Sequence, residues 1–295
     1  WQIPLPWRHT LTLFGSHTTT RPDLGADFAQ VGRSAQLSAR YAVPLPTLAF
    51  GAGTLRQGVQ VGADWKRSNN NLDFGGTSVF RSSTDIAQAV VAYDASLADA
   101  WGATGVSASL FHSPGGMGAH NSSAVFATSR TGAPARYTYA RIGVDRVTRL
   151  PEDFSWLVRA QAQVSSANLL SSEQLSLGGN ASVRGYAESE VLGDRGVLLS
   201  TELRTPEVAL ARLFGGRGLE DTLQGLVFVD YGVAGPRHPM AGEDRRTVVA
   251  SAGPGLRYSL PPYLTLKLDW GFQLRGTNSG EDRFGRPHIA LSVAY

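Results

Sequence analysis

Tyr263-Leu264-Thr265-Leu266-Lys267-Leu268-Asp269-Trp270-Gly271-Phe272-Gln273-Leu274-Arg275 alternates without a slip. Leu264, Leu266, Leu268, Trp270, Phe272 and Leu274 share one parity; Thr265, Lys267, Asp269, Gly271, Gln273 and Arg275 share the other. An extended chain therefore shows hydrocarbon on one face and charge on the opposite one. At 13 residues the run exceeds the roughly five or six of an ordinary soluble strand, and covers the roughly nine to eleven that cross a bilayer at a tilt.

The same period recurs along the chain. Val59, Val61, Ala63 and Trp65 oppose Gln60, Gly62, Asp64 and Lys66. Leu37, Ala39, Tyr41 and Val43 oppose Gln36, Ser38 and Arg40, and Trp156, Val158, Ala160, Ala162 and Val164 oppose Arg159, Gln161, Gln163 and Ser165. Val197, Leu199, Thr201 and Leu203 oppose Ser200, Glu202 and Arg204. Further candidates are Arg8–Thr19, Asp85–Ser96, Gly102–His112, Arg136–Thr148, Thr222–Val233, Thr247–Ser259 and Arg286–Tyr295. The fold expected is all-β: a transmembrane, antiparallel, up-and-down β-barrel of about twelve strands, with apolar residues toward lipid and polar ones toward a wet lumen. No run of eighteen apolar residues offers a spanning helix.

Connector lengths alternate as such a barrel requires. Tight turns fall at Leu260-Pro261-Pro262, Leu150-Pro151-Glu152-Asp153 and Ala98-Asp99-Ala100, with a proline-led connector at Pro44-Leu45-Pro46. Long connectors fall at Thr20–Gly32, Arg67–Thr84, Ser113–Ala135, Ser166–Asp194 and Gly276–Gly285. Pro206–Asp221 is longer than its side of the barrel predicts, and Asn69–Ser82 could add a hairpin and raise the count to fourteen. The last strand alternates Ile289, Leu291, Val293 and Tyr295 with Ala290, Ser292 and Ala294. That aromatic end reads as the insertion signal that outer-membrane assembly machinery recognises.

Composition narrows the chemistry. The 295 residues include no cysteine, which removes disulfides, thiolate metal sites and cysteine nucleophiles together. Net charge is +3, carried by arginines dispersed along the strands, with lysine only at 66 and 267; nucleic acid is not the expected partner. His9, His17, His112, His120, His238 and His288 are scattered without metal-ligand spacing, and no nucleophile elbow or phosphate-cradling loop is present. No catalytic residue, metal or cofactor is assigned. The chain starts at Trp1 without a signal-peptide pattern and reads as a mature form or an excised fragment.

One connector stands apart. Leu177-Gly178-Gly179-Asn180-Ala181-Ser182-Val183-Arg184-Gly185-Tyr186-Ala187-Glu188, closing with Gly193-Asp194-Arg195-Gly196, is long, glycine-punctuated and carries one cation before its closing turn. Loops of this length usually have a task. With Glu202-Leu203-Arg204-Thr205-Pro206 after it, the segment resembles the sixth extracellular loop of the outer-membrane protein 85 superfamily. More narrowly the chain is similar to the two-partner secretion transporters (TpsB) that activate and export haemolysins and adhesins. Arg141-Ile142 to Leu150-Pro151 and Leu169–Leu177 share that look.

The resemblance implies a loop folded into the lumen, with Val183, Arg184, Gly185, Tyr186 and Glu188 as its motif and Gly193, Asp194 and Gly196 as its closing turn. It further implies that Arg184 pairs with the aspartate of a Phe-x-Asp-x-Gly motif, here Phe228, Asp230 and Gly232. Alternation supports the pairing independently. Val227, Val229, Tyr231 and Val233 form an apolar face, so Phe228, Asp230 and Gly232 turn to the lumen, where a guanidinium can grip the carboxylate through two parallel bonds.

Full members of that family have sixteen strands, with the motif loop after the eleventh, and periplasmic POTRA domains. Here the loop follows the seventh. Residues 1–295 are therefore expected to be the carboxy-terminal part of an outer-membrane barrel, with POTRA domains absent. The expected function is a bacterial outer-membrane pore exporting a TpsA-like polypeptide. Its other expected contacts are outer-membrane lipid and lipopolysaccharide and the machinery that inserts it. The alternatives are an assembly or insertion factor of the BamA or TamA type, and a passive or inactive truncated barrel.

Overall fold

The computed structural model describes residues 1–20, 28–51, 53–74, 77–213, 220–277 and 285–294. Its strands are β1 (Gln2–Pro4), β2 (Thr10–Thr20), β3 (Phe28–Pro44), β4 (Leu48–Phe50), β5 (Gly53–Phe74), β6 (Thr77–Asp99), β7 (Gly102–Ser113), β8 (Tyr137–Arg149) and β9 (Ser155–Ser165). They continue as β10 (Leu175–Leu177), β11 (Val191–Gly193), β12 (Arg195–Arg204), β13 (Thr222–Gly235), β14 (Thr247–Leu260), β15 (Leu264–Gln273) and β16 (Arg286–Val293). One antiparallel sheet runs in chain order from β1 to β16, with β9 paired to β12 and β4 attached to β5; β10 and β11 form a separate hairpin. Without the three-residue β1 and β4, twelve long strands remain in the main sheet. This is an up-and-down outer-membrane β-barrel wall, although no pairing joins its first strand to its last among the described residues.

The alternation decides which way each strand faces. Leu37, Val61, Val91, Leu110, Ile142, Val164, Val227 and Phe272 are exposed, while Ser38, Asp64, Gln88, Gln163, Ser200, Glu202, Asp230 and Asp269 are buried. A water-soluble sheet would invert that distribution; a lipid-facing wall requires it. Trp7, Trp101, Trp156 and Tyr263, all exposed, lie beside the short turns and form an aromatic row suited to a membrane interface. Ile289, Leu291 and Val293 continue the outer face, at 70%, 62% and 66% exposure; Tyr295 lies outside the described residues.

Two expectations need correction. The described residues of Arg67–Thr84 are strand rather than a long connector: β5 continues to Phe74 and β6 begins at Thr77. Asn69–Ser82 therefore lengthens the β5–β6 hairpin and adds no pair of strands. Its asparagine-rich composition resembles a loop, but backbone pairing with β3 on one side and β6 on the other overrides weak local propensity. The long connector after β12 contains a short helix, α2 (Leu210–Leu213), whose Ala211 amide donates to Asp221 Oδ2 at 3.0 Å. Much of the connectors before β3 and β16 lies outside the described residues.

The apolar core sits at the loops. One cluster joins Ala167, Leu169 and Leu170 to Ile86, Tyr137, Tyr139 and Phe126, the last from α1 (Ser123–Ser129), a helix in the β7–β8 connector. A second joins Leu175, Leu177, Val183, Tyr186 and Val191 of the long connector to Leu198, Ala234 and Val249 on the inner wall. Each fully buried side chain of this size contributes about 1.5–3 kcal/mol, so the connector is packed into the barrel rather than laid across its mouth.

Candidate functional site

The connector from 166 to 194 folds back against the inner face of β12–β15. Its hairpin pairs Leu175 with Gly193, Ser176 with Leu192 and Leu177 with Val191, and the tip carries Arg184 to the wall. Arg184 Nε donates to Asp230 Oδ2 at 2.7 Å and Nη2 to Asp230 Oδ1 at 2.8 Å, the two-pronged geometry that fixes a guanidinium in orientation. Its backbone amide donates to the same Oδ2 at 3.1 Å. Nη1 reaches Glu202 Oε1 at 2.7 Å and Asp269 Oδ1 at 3.4 Å.

Register explains the convergence. Ser200 on β12 lies opposite Asp230 on β13 and donates its hydroxyl to Asp230 Oδ1 at 2.6 Å. Arg204 Nε donates to Glu202 Oε2 at 2.9 Å, and Arg257 Nη1 to Asp269 Oδ1 at 2.9 Å. Three guanidinium groups thus meet three carboxylates. Charge balance matters because Asp230 is fully buried and Arg184 only 3% exposed, and a buried charge without its partner is costly.

Each position of the strand motif has a separate physical task. The Phe228 ring lies under the Arg184 guanidinium, Cζ 3.5 Å from its centroid, and adds cation–π attraction on the face that the carboxylates leave open. Asp230 supplies the chelating carboxylate. Gly232 leaves room: a Cβ there would stand 2.9 Å from Leu177 Cδ1 and 3.1 Å from Val183 Cγ2.

The loop motif divides its work similarly. Val183 belongs to the inner apolar cluster. Gly185 has φ +90°, and a Cβ there would meet the Gly271 carbonyl oxygen at 2.7 Å, so glycine alone permits both the turn and the approach to β15. Its amide donates to His288 Nε2 at 2.8 Å, and Gln273 Nε2 donates to its carbonyl at 2.8 Å. The Tyr186 hydroxyl lies 2.8 Å from Ala250 O and accepts from the Ala250 amide at 3.1 Å.

Glu188 stands apart from the arginine cluster and braces the loop's own tip, accepting from the Asn180 amide at 2.8 Å. Asp194 is the hub of the closing turn. It accepts from Arg130 Nη1 and Nη2 at 2.5 and 3.0 Å, the Leu169 amide at 2.9 Å, Gln174 Nε2 at 3.0 Å and the Arg237 amide at 2.8 Å. Three connectors are thereby tied to one buried carboxylate. A Cβ at neighbouring Gly193 or Gly196 would strike the β13 backbone at Gly235 or Val233.

His288 and Gln273 complete the site although no sequence motif marks them. Parity was their available signal, since both stand on the inward register of strands whose other face is apolar. Among the described residues no group of His, Asp and Glu is arranged to hold a metal ion. The constellation binds and orients a loop, and its arginines and carboxylates pair with one another.

A search of curated proteins returns no match. Among solved structures, CdiB from Escherichia coli is similar with a TM-score of 0.73 at 17% identity, over 98% of this chain and 50% of that one. BamA from Haemophilus ducreyi lacking POTRA domains 1-3 is similar with a TM-score of 0.50 at 13% identity, over 97% of this chain and 65% of that one. The chain therefore spans half the length of the CdiB chain. The family described as haemolysin secretion/activation protein ShlB/FhaC/HecB matches residues 5–258. With its inward latch and lipid-facing wall, the chain belongs to that family of bacterial outer-membrane β-barrel proteins.

Proposed function

We propose that this chain forms the pore of a two-partner secretion transporter, through which an unfolded partner polypeptide of the haemolysin or adhesin type passes outward. Residues 1–295 act as one barrel unit, with lipid and lipopolysaccharide against its outer face and assembly machinery reading its final strand. The carrying observation is the Arg184–Asp230 contact, which fixes a folded loop inside the lumen. A loop held by charged groups can be released into a wet channel and recaptured. Folding of the partner outside supplies direction without nucleotide hydrolysis.

Secretion of the partner by an Arg184→Ala variant tests this reading. The variant inserts, migrates as a heat-modifiable barrel and exports little or nothing; full export would defeat the assignment. A second reading, an insertion factor, draws on the fold shared with BamA. It predicts that loss of the protein depletes many outer-membrane proteins, whereas an exporter's loss affects its partner alone.

A further inference from the structure

Glu173 lies in a short 3₁₀ turn, Ser171–Glu173, at the start of the same loop, and is fully buried. Its Oε1 accepts from Lys66 Nζ at 2.7 Å and Ser172 Oγ at 3.1 Å. Its Oε2 accepts from the Tyr139 hydroxyl at 2.6 Å and Gln88 Nε2 at 3.1 Å. Wall groups from β5, β6 and β8 thus converge on one loop carboxylate. Arg141 Nη2 and Gln163 Nε2 also donate to its backbone carbonyl, at 2.9 and 3.1 Å.

This arrangement inverts the sign of the one around Arg184. There a loop cation enters a wall of carboxylates; here a loop anion enters a wall offering an ammonium, a phenol and an amide. The wall partners do not overlap, since Arg184 draws on β12, β13 and β15. The apolar packing is also divided: Ala167, Leu169 and Leu170 belong to one cluster, while Leu175, Leu177, Val183, Tyr186 and Val191 belong to the other. Burial opposes ionisation of Glu173, yet the Lys66 ammonium beside it and the hydroxyl and amide donors hold its carboxyl below the ordinary range.

Packing alone gives no reason for an ion pair here, because well-packed hydrocarbon usually serves stability at least as well as a buried salt bridge. A contact that must open into water differs. Separated charges are rehydrated, whereas a separated apolar patch is penalised.

We propose that Glu173 is a second positioning residue of the lumen loop, a latch of opposite sign that holds its first limb to β5, β6 and β8 and opens independently of Arg184. The proposal rests on the reading that the loop moves to admit a polypeptide. Its test nevertheless measures loop position rather than export, so it can fail or stand separately from that reading.

These 295 residues contain no cysteine, so a thiol introduced among them is the sole thiol of this wall and its loop. Leu170→Cys marks the first limb and Val183→Cys the second, both at buried positions, in the full-length gene product inserted in outer membranes. Glu173→Gln should raise the maleimide labelling rate at Leu170→Cys about tenfold, the effect of a 1.4 kcal/mol shift in an opening equilibrium. Labelling at Val183→Cys should stay within about twofold, and Arg184→Gln should give the reverse pattern. Equal responses of both thiols to either substitution would overturn the proposal, because they would reveal one cooperative lock or general loosening. Tyr139→Phe provides a second route that leaves the loop sequence intact. It should raise labelling at Leu170→Cys alone by a smaller factor, and no response there would also overturn the proposal.

Discussion

Two of the arginine–aspartate pairs on the inner wall differ mainly in what covers them. Arg159 and Asp145 face each other across β9 and β8 at 2.9 Å, with side chains 48% and 56% exposed. Arg184 and Asp230 meet at 2.7 Å with side chains 4% and 0% exposed. Similar chemistry at similar distance gives unequal energies: an exposed pair contributes about 0–1 kcal/mol, while removing one member of a buried pair costs roughly 3–5 kcal/mol. The loop creates the difference. By lying on β12–β15 it excludes water from the very carboxylates that hold it.

The largest test of this contrast is Arg184→Ala. It takes the guanidinium from Asp230 and leaves Arg204 and Arg257 against Glu202 and Asp269, and should weaken loop docking by roughly 3–5 kcal/mol, read as faster hydrogen exchange over residues 183–186 in a barrel that remains folded. An Arg184→Asp/Asp230→Arg exchange should recover little of that loss, because Glu202 and Asp269 would then repel the transplanted carboxylate. Gly185→Ala comes next: a positive φ costs of order 1–3 kcal/mol, and the β15 backbone at Gly271 must also give way. The same exchange measurement should show a smaller acceleration at the tip.

Tyr186→Phe removes one buried hydroxyl and should cost about 1 kcal/mol, visible as exchange at the Ala250 amide that donates to it. Arg159→Ala is the smallest, at under about 1 kcal/mol, with no change in loop exchange or partner export. If Arg159→Ala freed the loop as fully as Arg184→Ala, burial would not be what separates the two pairs.

Most of the wall was legible because alternation is local. Leu264 through Leu274 state their orientation within a single strand, and the buried inner register of β13 follows from the valines on its other face. In the β5–β6 hairpin composition and pairing disagree: Asn69, Asn70 and Asn71 suit a loop, yet β3 and β6 flank them as strands. Glu173 was hidden for another reason. Ser171-Ser172-Glu173-Gln174 has the composition of a solvated turn, and its principal partner, Lys66, is 107 residues away. Lys66 did offer a clue, as one of two lysines and on the inward face of an otherwise clear strand. Nothing local said which anion it would find.

The hairpin of β10 and β11 has a mechanical consequence. By pairing Leu175–Leu177 with Val191–Gly193, it satisfies the backbone at the base of the intervening segment without help from the wall. Such a segment can swing as a stiff paddle on a narrow stem, exchanging side-chain contacts for water while its rungs stay intact. A slack tether would have to regain its shape each time it left the wall. A paddle brings its arginine back already aimed at the aspartate it left.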